Sequence, residues 1–560
     1  MTEKLPWAAA AEKVGRPLHL EYYHGSMYDA VVHAAAQLPD PAAHTAIYYL
    51  GERISLKEFL QTTDRCADAM SACGVQAGDM ITVALPNCPE ALYAIYAANK
   101  LGVVANIVHP MTGEKDLLTA LNKTQSRILF ASGRTSALLL ASGTGKSLKV
   151  ITAEEGKEKN AKPRIRDFGS RMINALMQEK NVIHFDRFLA KTKASAQKHD
   201  GKDNDTAVIL YSGGTTGTPK GIELTNLNLN AMAQNITACN AEALQGENPV
   251  ITGILPIFHG FGLGVCIHAA LFSNVGIMLI PAFSPKSFAD ALKEARPTVL
   301  AGVPGFYEEL TRIRSAKNAD LSFIKQVYCG GENTRPELAD AFDRLLSENG
   351  SDARLCEGYG MAETLAVATL NPAPLRKQGS VGIPIADTRV RIMDENAEKE
   401  LPPGEIGEIW ISGPSVMKGY YQNSEATKKA LSKDESGKIW LHSGDLGYLA
   451  EDGFLFIADR KKRMFIINGY NIYPSRIEQV LLACPGAADC AVFEETENGE
   501  NRVAAAVVWS GTTENENEAR QALYEHCKKH LAAYEIPKRI EFRDSLPKTA
   551  IGKTAYQSLK

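Results

Sequence analysis

The 560-residue sequence has few cysteines for its length, and none of them lie at metal-binding intervals. The ten cysteines are scattered, without a Cys-x-x-Cys pair or a paired Cys/His spacing. Disulfide frameworks and structural zinc sites both need cysteines at short, recurring intervals, so the sequence excludes both kinds of site. We therefore expect reduced and mostly buried thiols.

A strong net charge is also missing. The 61 lysines and arginines nearly balance 65 aspartates and glutamates, which gives a formal charge of −4. No overall field therefore favours a nucleic acid or an anionic membrane as the main partner. With 45% hydrophobic and 22% charged residues, the composition is that of a globular protein and excludes a largely disordered or coiled-coil chain.

The sequence contains no hydrophobic run long enough to cross a membrane as a helix. The most apolar long stretch, 261–283, is interrupted by polar residues and glycines, so it predicts a buried helix followed by a strand. The first 20 residues carry charges where a secretory signal needs an apolar region. We expect a cytoplasmic protein. The sequence leaves peripheral membrane contact open.

Short apolar or β-branched runs alternate with helical patterns, which predicts an α/β fold with buried parallel strands. The predicted strands are 80–85, 103–108, 207–210, 277–280 and 298–301. Between them, the spacing of Ser55 and Glu58 is that of a capping box, which predicts a helix over about 55–73. Residues 155–180 are rich in Lys, Arg and Glu, and we interpret them as a solvated insertion rather than a binding site.

The pattern changes after about residue 385 to short strands separated by Gly/Pro turns, which predicts a small β-rich subdomain over about 385–461. The last part predicts a compact α+β unit. Its elements are a helix (about 475–483), two strands (about 488–493 and 502–509) and a second helix (about 516–531).

The strongest local signal for chemistry is the segment from Tyr211 to Gly221, YSGGTTGTPKG, directly after a predicted strand. Its glycines free the backbone to wrap an anion, its hydroxyls are donors, and Lys220 adds a positive charge. This composition predicts a phosphate-binding loop. It is not the P-loop of nucleotidases, because Lys220 stands between a proline and a glycine, and the second Gly-Lys-Thr, at 552–554, lacks the first glycine of that motif.

Together with five further segments, this loop resembles the signature of the adenylate-forming superfamily, which includes acyl-CoA synthetases, aryl-CoA ligases, adenylation domains and luciferases. The segments occur in the family's order and extend the resemblance over about residues 45–560. They are LPIFHGFG (255–262), GYGMAET (358–364), HSGD (442–445), Asp459-Arg460 with the residues that follow, and PKTAIGK (547–553).

The resemblance implies that a carboxylate attacks the α-phosphate of ATP, giving acyl-AMP, and that CoA then forms the thioester. Two anions must meet in the first step, so the site needs preorganised positive charge. The resemblance implies a catalytic set of Lys553, Thr216, Glu363 and His259, with Glu363 as the Mg²⁺ ligand and Lys553 bridging the carboxylate and the α-phosphate.

The resemblance also implies which residues bind the nucleotide and CoA. Asp445 would accept hydrogen bonds from the ribose hydroxyls, with Arg460 beside it. The full implied set is Ser212, Gly213, Gly214, Thr215, Thr216, Gly217, Lys220, Gly331, Glu332, Glu357, Gly358, Tyr359, Asp445, Arg460, Lys462, Gly469 and Tyr470.

The acyl pocket is implied to include His259, Phe261, Gly330 and Gly331. Adenylation domains that take amino acids have an aspartate where this chain has His259, so amino-acid substrates are disfavoured. The small glycine pair leaves room for a bulky acid, although space alone does not identify it.

The implied architecture is an α/β fold with a large N-terminal domain and a mobile α+β C-terminal domain. The large domain, residues 1–461, would contain two α/β subdomains and the β-rich one, while residues 462–560 rotate about Lys462 between the two half-reactions. Three positions after the hinge depart from the family pattern: Arg463, Ile466 and Asn468. Arg463 or Lys461 is therefore a candidate for the missing phosphate contact.

Among functions, a CoA ligase for medium- to long-chain fatty acids is favoured, and aryl acids are the close alternative. A stand-alone enzyme that loads a carrier protein, and a non-enzymatic nucleotide-binding protein, remain open at this stage. Steroid acids, chain length and oligomeric state are not decided by the sequence.

Overall fold

The computed structural model describes residues 5–136, 148–153, 181–190, 195–212, 219–246, 248–313, 319–467, 470–497, 500–510, 515–547, 554 and 556–559. The charged stretch 155–180 lies outside the described residues. The described chain divides into two compact units. Unit 1 comprises residues up to Ser212, Lys220–Arg389 and Ser412–Leu441, and unit 2 comprises Val390–Ile411 and the residues from His442 onward.

The strands follow the chain from the N-terminal region to the C-terminal end. In unit 1 and at its borders they are β1 (Thr45–Tyr49), β2 (Glu52–Ser55), β3 (Met80–Ala84), β4 (Val104–Ile107), β5 (Ile128–Ser132), β6 (Lys149–Ala153), β7 (Val182–His184), β8 (Thr206–Tyr211), β9 (Gly221–Thr225), β10 (Val250–Gly253), β11 (Gly276–Leu279), β12 (Val299–Gly302), β13 (Gln326–Cys329), β14 (Leu355–Tyr359), β15 (Thr369–Leu370) and β16 (Ile383–Pro384). The later strands are β17 (Arg389–Met393), β18 (Gly407–Ser412), β19 (Gly419–Tyr420), β20 (Leu431–Lys433), β21 (Ile439–Leu449), β22 (Leu455–Arg460), β23 (Phe465–Ile467), β24 (Tyr470–Ile472), β25 (Ala487–Glu497), β26 (Glu500–Trp509) and β27 (Arg539–Phe542).

The α-helices alternate with these strands. They are α1 (Ala8–Lys13), α2 (Met27–Ala35), α3 (Leu56–Ala72), α4 (Pro89–Lys100), α5 (Glu114–Thr124), α6 (Phe185–Ala190), α7 (Asn226–Cys239), α8 (Ala269–Phe272), α9 (Pro285–Ala295), α10 (Pro304–Arg312), α11 (Pro336–Glu348), α12 (Ser424–Ala430), α13 (Pro474–Leu482) and α14 (Glu516–His530). A π-helix spans Phe261–His268, and 3₁₀ turns span Ala362–Thr364, Ala373–Leu375 and Tyr556–Ser558.

Unit 1 contains two mostly parallel sheets. One has the strand order β16-β15-β14-β13-β12-β10-β11-β1-β2, and the other has the order β19-β9-β8-β4-β3-β5-β6-β7. Their central strands are buried along their whole length, as in β4 and β5, because helices cover both faces. The predicted fold class is therefore confirmed for this part of the chain.

Local sequence signals place the helix edges as expected. The Ser55 hydroxyl accepts from the Glu58 backbone N–H while the Glu58 carboxylate accepts from the Ser55 N–H, so a complete capping box begins α3. The apolar stretch after residue 260 forms the π-helix, then α8, then β11, which confirms the predicted buried helix and strand. Among the described residues, no helix has the length and apolar character needed to cross a membrane.

Unit 2 holds β17, β18 and an antiparallel hairpin formed by the later part of β21 with β22. It continues with the short hairpin β23–β24, the helices α13 and α14, and a sheet in the order β25-β26-β27. The predicted helices and two strands of this α+β part are present within two residues of their expected bounds at most ends, although β25 extends further, to Glu497. Strand β27, which pairs in parallel with β26, was not predicted.

Candidate active site

The predicted phosphate loop connects two antiparallel strands of unit 1. Strands β8 and β9 pair up to Tyr211 and Gly221, and the next residues on each side are still joined, because the Ser212 N–H donates to the Lys220 carbonyl oxygen at 3.1 Å. The Lys220 N–H lies 3.4 Å from the Ser212 hydroxyl oxygen. The hairpin therefore fixes both ends of the loop. Gly213, Gly214, Thr215, Thr216 and Gly217 lie outside the described residues.

Glu363 follows β14 in the 3₁₀ turn Ala362–Thr364 and is 6% exposed. Its carboxylate atom Oε1 accepts from the Tyr420 hydroxyl at 2.8 Å. Its own carbonyl oxygen accepts from the Met417 N–H at 2.8 Å. Both contacts lie within unit 1, and they hold the backbone and one oxygen of this carboxylate.

The backbone around this turn is tightly constrained. Leu365 and Ala366 have positive φ angles of 51° and 96°, which cost energy for residues with a side chain. A Cβ atom at Gly360 would lie 1.9 Å from the Ala366 carbonyl oxygen, so only glycine fits there. The segment GYGMAET and the two residues after it therefore form an unusual turn, which places Glu363 just after the end of β14.

Tyr420 was not identified in the sequence as a site residue. It lies in the two-residue strand β19, where it pairs with Ile222 of β9. Its ring lies beneath Lys220, with the Nζ atom 4.7 Å from the ring centroid. Burial raises the pKa of the Tyr420 hydroxyl, and the Glu363 carboxylate raises it further, so the hydroxyl remains a hydrogen-bond donor at neutral pH.

Two residues expected in the acyl pocket, Phe261 and Gly330, lie next to each other just after β13. A Cβ atom at Gly330 would lie 3.4 Å from the Phe261 ring and 3.2 Å from the Gly358 carbonyl oxygen, so these three residues are neighbours. Gly331 follows with φ of 86°, which favours glycine. Glu332 is exposed at the same strand end.

Glu357 and Tyr359 belong to β14, which runs parallel to β13 with Cys329 opposite Glu357. Both side chains are partly buried. Burial raises the pKa of the Glu357 carboxyl, while its hydrogen bond with the Asn371 amide acts in the opposite direction. The carboxyl ends of β13 and β14 therefore bring Gly331, Glu332, Glu357 and Tyr359, all in the implied binding set, to one edge of the sheet.

His259 is exposed at the start of the apolar segment, where its Nδ1 atom accepts from the Phe261 N–H at 3.2 Å. The fully buried histidine of this segment is His268. Its two ring nitrogens lie 3.0 Å from the Tyr96 hydroxyl and 3.0 Å from the Asn230 side-chain oxygen. Burial lowers the pKa of His268 to about 3, so it is a neutral core residue.

In unit 2, Asp445 and Arg460 stand directly opposite each other on β21 and β22. The Arg460 Nε atom lies 3.1 Å from Asp445 Oδ1, and Asp445 is 5% exposed while the Arg460 side chain is largely in solvent. The Asp445 N–H donates to the Ser443 hydroxyl oxygen at 3.0 Å. The structure thus brings these two predicted ribose-site residues together.

The residues around the predicted hinge form a turn. Lys462 is exposed in it, and the Arg463 N–H donates to the Arg460 carbonyl oxygen at 2.8 Å. Tyr470 is exposed and stacks on Tyr534, with ring centroids 4.3 Å apart. Gly469 and Lys553 lie outside the described residues, so their predicted roles stay predictions.

The two cations proposed to replace missing CoA contacts are already paired. Lys461 lies 2.8 Å from Glu408. Arg463 lies 2.6 Å from Glu478 and 3.7 Å from Asp459, and its guanidinium covers the Tyr556 ring at 3.9 Å. This arrangement argues against a phosphate-binding role for Arg463, since its charge already compensates two buried carboxylates.

The donor set around Glu363 fits a magnesium ion carried by a nucleotide. No cluster of three or more metal-binding side chains occurs among the residues the structure describes. Mg²⁺ commonly uses one or two carboxylates together with substrate phosphates and water. In the described part of the chain, Glu363 Oε2 has no hydrogen-bond donor, so one oxygen of a buried carboxylate is left for such an ion.

The chain is similar to known proteins along its whole length. Residues 32–421 match the AMP-binding enzyme family, and residues 476–553 match the AMP-binding enzyme C-terminal domain. A long-chain-fatty-acid–CoA ligase of Bacillus subtilis is 30% identical over 574 aligned positions, covering 100% of this chain and 98% of the relative. A feruloyl-CoA synthase of Amycolatopsis is 30% identical, covering 91% and 94% of the two chains.

Among solved structures, ATP-bound MatB from Rhodopseudomonas palustris superposes with a TM-score of 0.79 at 26% identity, covering 95% of this chain and 98% of that one. Family matches to both parts of the chain and nearly complete coverage of the relatives agree with the motifs and their order. The chain belongs to the AMP-binding enzyme family, in its acyl-CoA synthetase branch.

Proposed function

We propose that this chain is an ATP-dependent carboxylic acid–CoA ligase that activates medium- to long-chain fatty acids. The observation that carries the ATP-dependent step is the arrangement of Glu363, Tyr420 and Lys220 at the base of the phosphate loop. The fatty-acid assignment is supported by the long-chain ligase of Bacillus subtilis, which aligns along this whole chain.

In the first half-reaction the substrate carboxylate attacks the α-phosphorus of ATP, the bond to the β-phosphate oxygen breaks, and pyrophosphate leaves. Loop N–H groups, Lys220 and Lys553 would stabilise the charge on the phosphates, which is the effect preorganised donors supply. Bound Mg²⁺ would neutralise phosphate charge, and Glu363 would hold it. The buried Asp445 would accept from the ribose hydroxyls and so fix the nucleoside.

In the second half-reaction the thiolate of CoA attacks the acyl carbonyl carbon, and AMP leaves with its phosphate oxygen. We propose that Lys462 is the hinge between the two steps. Rotation about it would withdraw Lys553 and present the thiol channel instead. The first family match ends at residue 421 and the second begins at residue 476, so the proposed pivot lies in the segment between them. The corresponding division is 1–461 and 462–560.

An aryl-acid substrate is the second candidate, because the feruloyl-CoA synthase is as similar in identity as the fatty-acid ligase. The adjacent backbones of Gly330 and Gly358 beside Phe261 form a wall that suits either a chain or a ring. We further propose a cytoplasmic location, which is consistent with ten free cysteines.

The test is release of AMP by purified protein with ATP, Mg²⁺ and a panel of acids. The panel contains dodecanoate, palmitate, benzoate, ferulate and a steroid acid, each with CoA and, separately, with an acyl carrier protein. The proposal predicts CoA-dependent AMP release that is greatest with the fatty acids. Greatest turnover with ferulate would select the aryl-acid ligase, and turnover only with the carrier protein would replace CoA as the acceptor.

A further inference from the structure

The short strand β19 lies against the first residues of β9, directly beyond the phosphate loop. Tyr420 pairs with Ile222, and the Tyr421 N–H donates to the Gly221 carbonyl oxygen at 2.7 Å. Lys220 is the residue immediately before β9. The backbone pairing therefore fixes Tyr420 next to the lysine that ends the loop.

Both the hydroxyl and the ring of Tyr420 make contacts in this position. The hydroxyl donates to Glu363 Oε1 at 2.8 Å, across 57 positions of sequence. The ring face carries the Lys220 ammonium at 4.7 Å, a distance at which a cation is attracted to the ring. One side chain thus contacts both the carboxylate and the cation of the candidate phosphate site.

The neighbouring Tyr421 makes different contacts and serves as a comparison. Its ring lies 5.9 Å from the Lys123 ammonium, and its hydroxyl oxygen accepts from the Gln422 side-chain amide at 3.1 Å. Both tyrosines are partly buried and lie on the same segment. Among the described residues, only Tyr420 joins Glu363 to Lys220.

We propose that Tyr420 is a positioning residue for Mg²⁺-ATP, an inference that rests on the proposed function. Its hydroxyl holds Glu363 by Oε1, so that Oε2 would be left to bind the metal. Its ring holds the long side chain of Lys220 beside the phosphate loop. Without it, both charged groups would have to be ordered at the moment of binding, which weakens binding.

Four variants separate the two contacts. Tyr420→Phe removes the hydrogen bond to Glu363 and keeps the ring under Lys220, whereas Tyr420→Leu removes both. Tyr421→Phe and Tyr421→Leu are the matched controls on the same strand end. Thermal melts of all four variants check that each remains folded.

The readout is calorimetric binding of ATP to the full-length protein, measured with Mg²⁺ and with EDTA. Loss of an outer-shell partner of a metal ligand typically costs about 10–100-fold in affinity. Tyr420→Phe should therefore weaken binding of Mg²⁺-ATP about tenfold while leaving ATP binding in EDTA unchanged. Tyr420→Leu should weaken binding in both conditions, and the Tyr421 variants should bind as the wild type does.

If Tyr420→Phe bound Mg²⁺-ATP as tightly as the wild type does, the metal-positioning role would be wrong. If Tyr420→Leu and Tyr420→Phe bound ATP equally tightly in EDTA, the lysine-positioning role would be wrong.

The experiment measures binding without turnover, so its result does not depend on which acid is the substrate. Wild-type protein that binds Mg²⁺-ATP but releases no AMP with any acid would refute the proposed function alone. Wild-type protein that binds no ATP would overturn both.

Discussion

Two clusters in this chain combine a carboxylate, a cation and an aromatic ring, yet they leave their charges in different states. In unit 1, Tyr420 contacts both Glu363 and Lys220, and among the described residues Lys220 makes no ion pair. In unit 2, Arg463 is paired with Glu478 and Asp459 and lies over Tyr556. The first cluster keeps a carboxylate oxygen and an ammonium for a ligand, whereas the second neutralises its charges internally.

We call the second cluster, Arg463 with Glu478, Asp459 and Tyr556, the closed cluster. It is suited to holding the start of the C-terminal part. The Asp459 side chain is fully buried and also accepts from the Ser475 N–H at 2.6 Å, which ties β22 to α13. Burial raises the pKa of the Glu478 carboxyl, even though the Arg463 guanidinium acts to lower it. Such a group is costly to leave unpaired, so this cluster should matter for stability rather than for nucleotide binding.

The largest expected effect follows from breaking this closed cluster. Arg463→Met should destabilise the protein by about 3–5 kcal/mol, because two buried carboxylates lose their cation. Urea titration followed by circular dichroism, with hydrogen exchange of β25 and β26 amides, measures it. Arg520→Met is the matched control, since Arg520 lies over Phe542 at 5.3 Å and, among the described residues, its ion pair is with the exposed Glu516.

For Arg520→Met we expect a loss below about 1 kcal/mol. Equal losses for the two arginine variants would contradict the distinction between a closed, buried cluster and an ordinary surface pair.

The next effect concerns the reaction rather than stability. Lys553→Ala should lower acid-dependent pyrophosphate exchange by about 10²–10³-fold, because one preorganised electrostatic donor is removed. Thioester formation from supplied acyl-AMP should stay near the wild-type rate. A similar loss in both half-reactions would remove the role assigned to Lys553.

A smaller, pH-dependent effect is expected in the core of unit 1. The pKa of His268 is lowered to about 3 in the folded protein, so the unfolded chain binds the extra proton first as the pH falls below about 6.5. This group therefore lowers stability as the pH falls from about 6.5 towards 3. Between pH 7 and pH 5 the loss amounts to about 2 kcal/mol.

Comparing the urea midpoints of wild-type protein and His268→Gln at the two pH values tests this effect. The variant should lose less stability between pH 7 and pH 5, while His530→Gln, at an exposed position, should behave as the wild type does. Identical pH dependence of all three proteins would show that His268 does not carry the effect.

The smallest effect is expected at Lys461, whose side chain is 42% exposed although it lies 2.8 Å from Glu408. Lys461→Ala should cost about 1 kcal/mol, because solvent screens the lysine and the buried Glu408 keeps its hydrogen bond from the Gly444 N–H. A severalfold rise of CoA KM in this variant would support the predicted phosphate contact of Lys461.

Much of the fold was predictable because burial and local signals agree. Predicted strands such as 80–85 and 277–280 coincide with β3 and β11 to within a residue, since continuous apolar runs between turns form buried parallel strands. The capping box of Ser55 and Glu58 placed the start of α3. The acyl-CoA synthetase branch was likewise identified from the motifs, and the family matches confirm it.

Features that depend on distant contacts were not predictable from one sequence. Tyr420 meets Glu363 only because β19 pairs with β9, and a two-residue strand has no periodic signal. Arg463 was interpreted as a candidate phosphate ligand because the residues after the hinge depart from the family pattern, and its pairing with Glu478, 15 positions away, has no local signal. A charge pattern shows where cations are, but only the folded chain shows which of them are already paired.

The pivot at Lys462 is tested most directly by whether the two half-reactions depend differently on the conformation of this residue. Lys462→Ala and Lys462→Pro lose the same charge, but only proline fixes φ and removes the backbone N–H. Acid-dependent pyrophosphate exchange and thioester formation from supplied acyl-AMP are measured for both variants and the wild type. If Lys462 is the hinge, the ratio of the two rates changes in Lys462→Pro and stays near the wild-type value in Lys462→Ala. An unchanged ratio in all three proteins would contradict a division of the reaction between two parts of the chain that pivot at this residue.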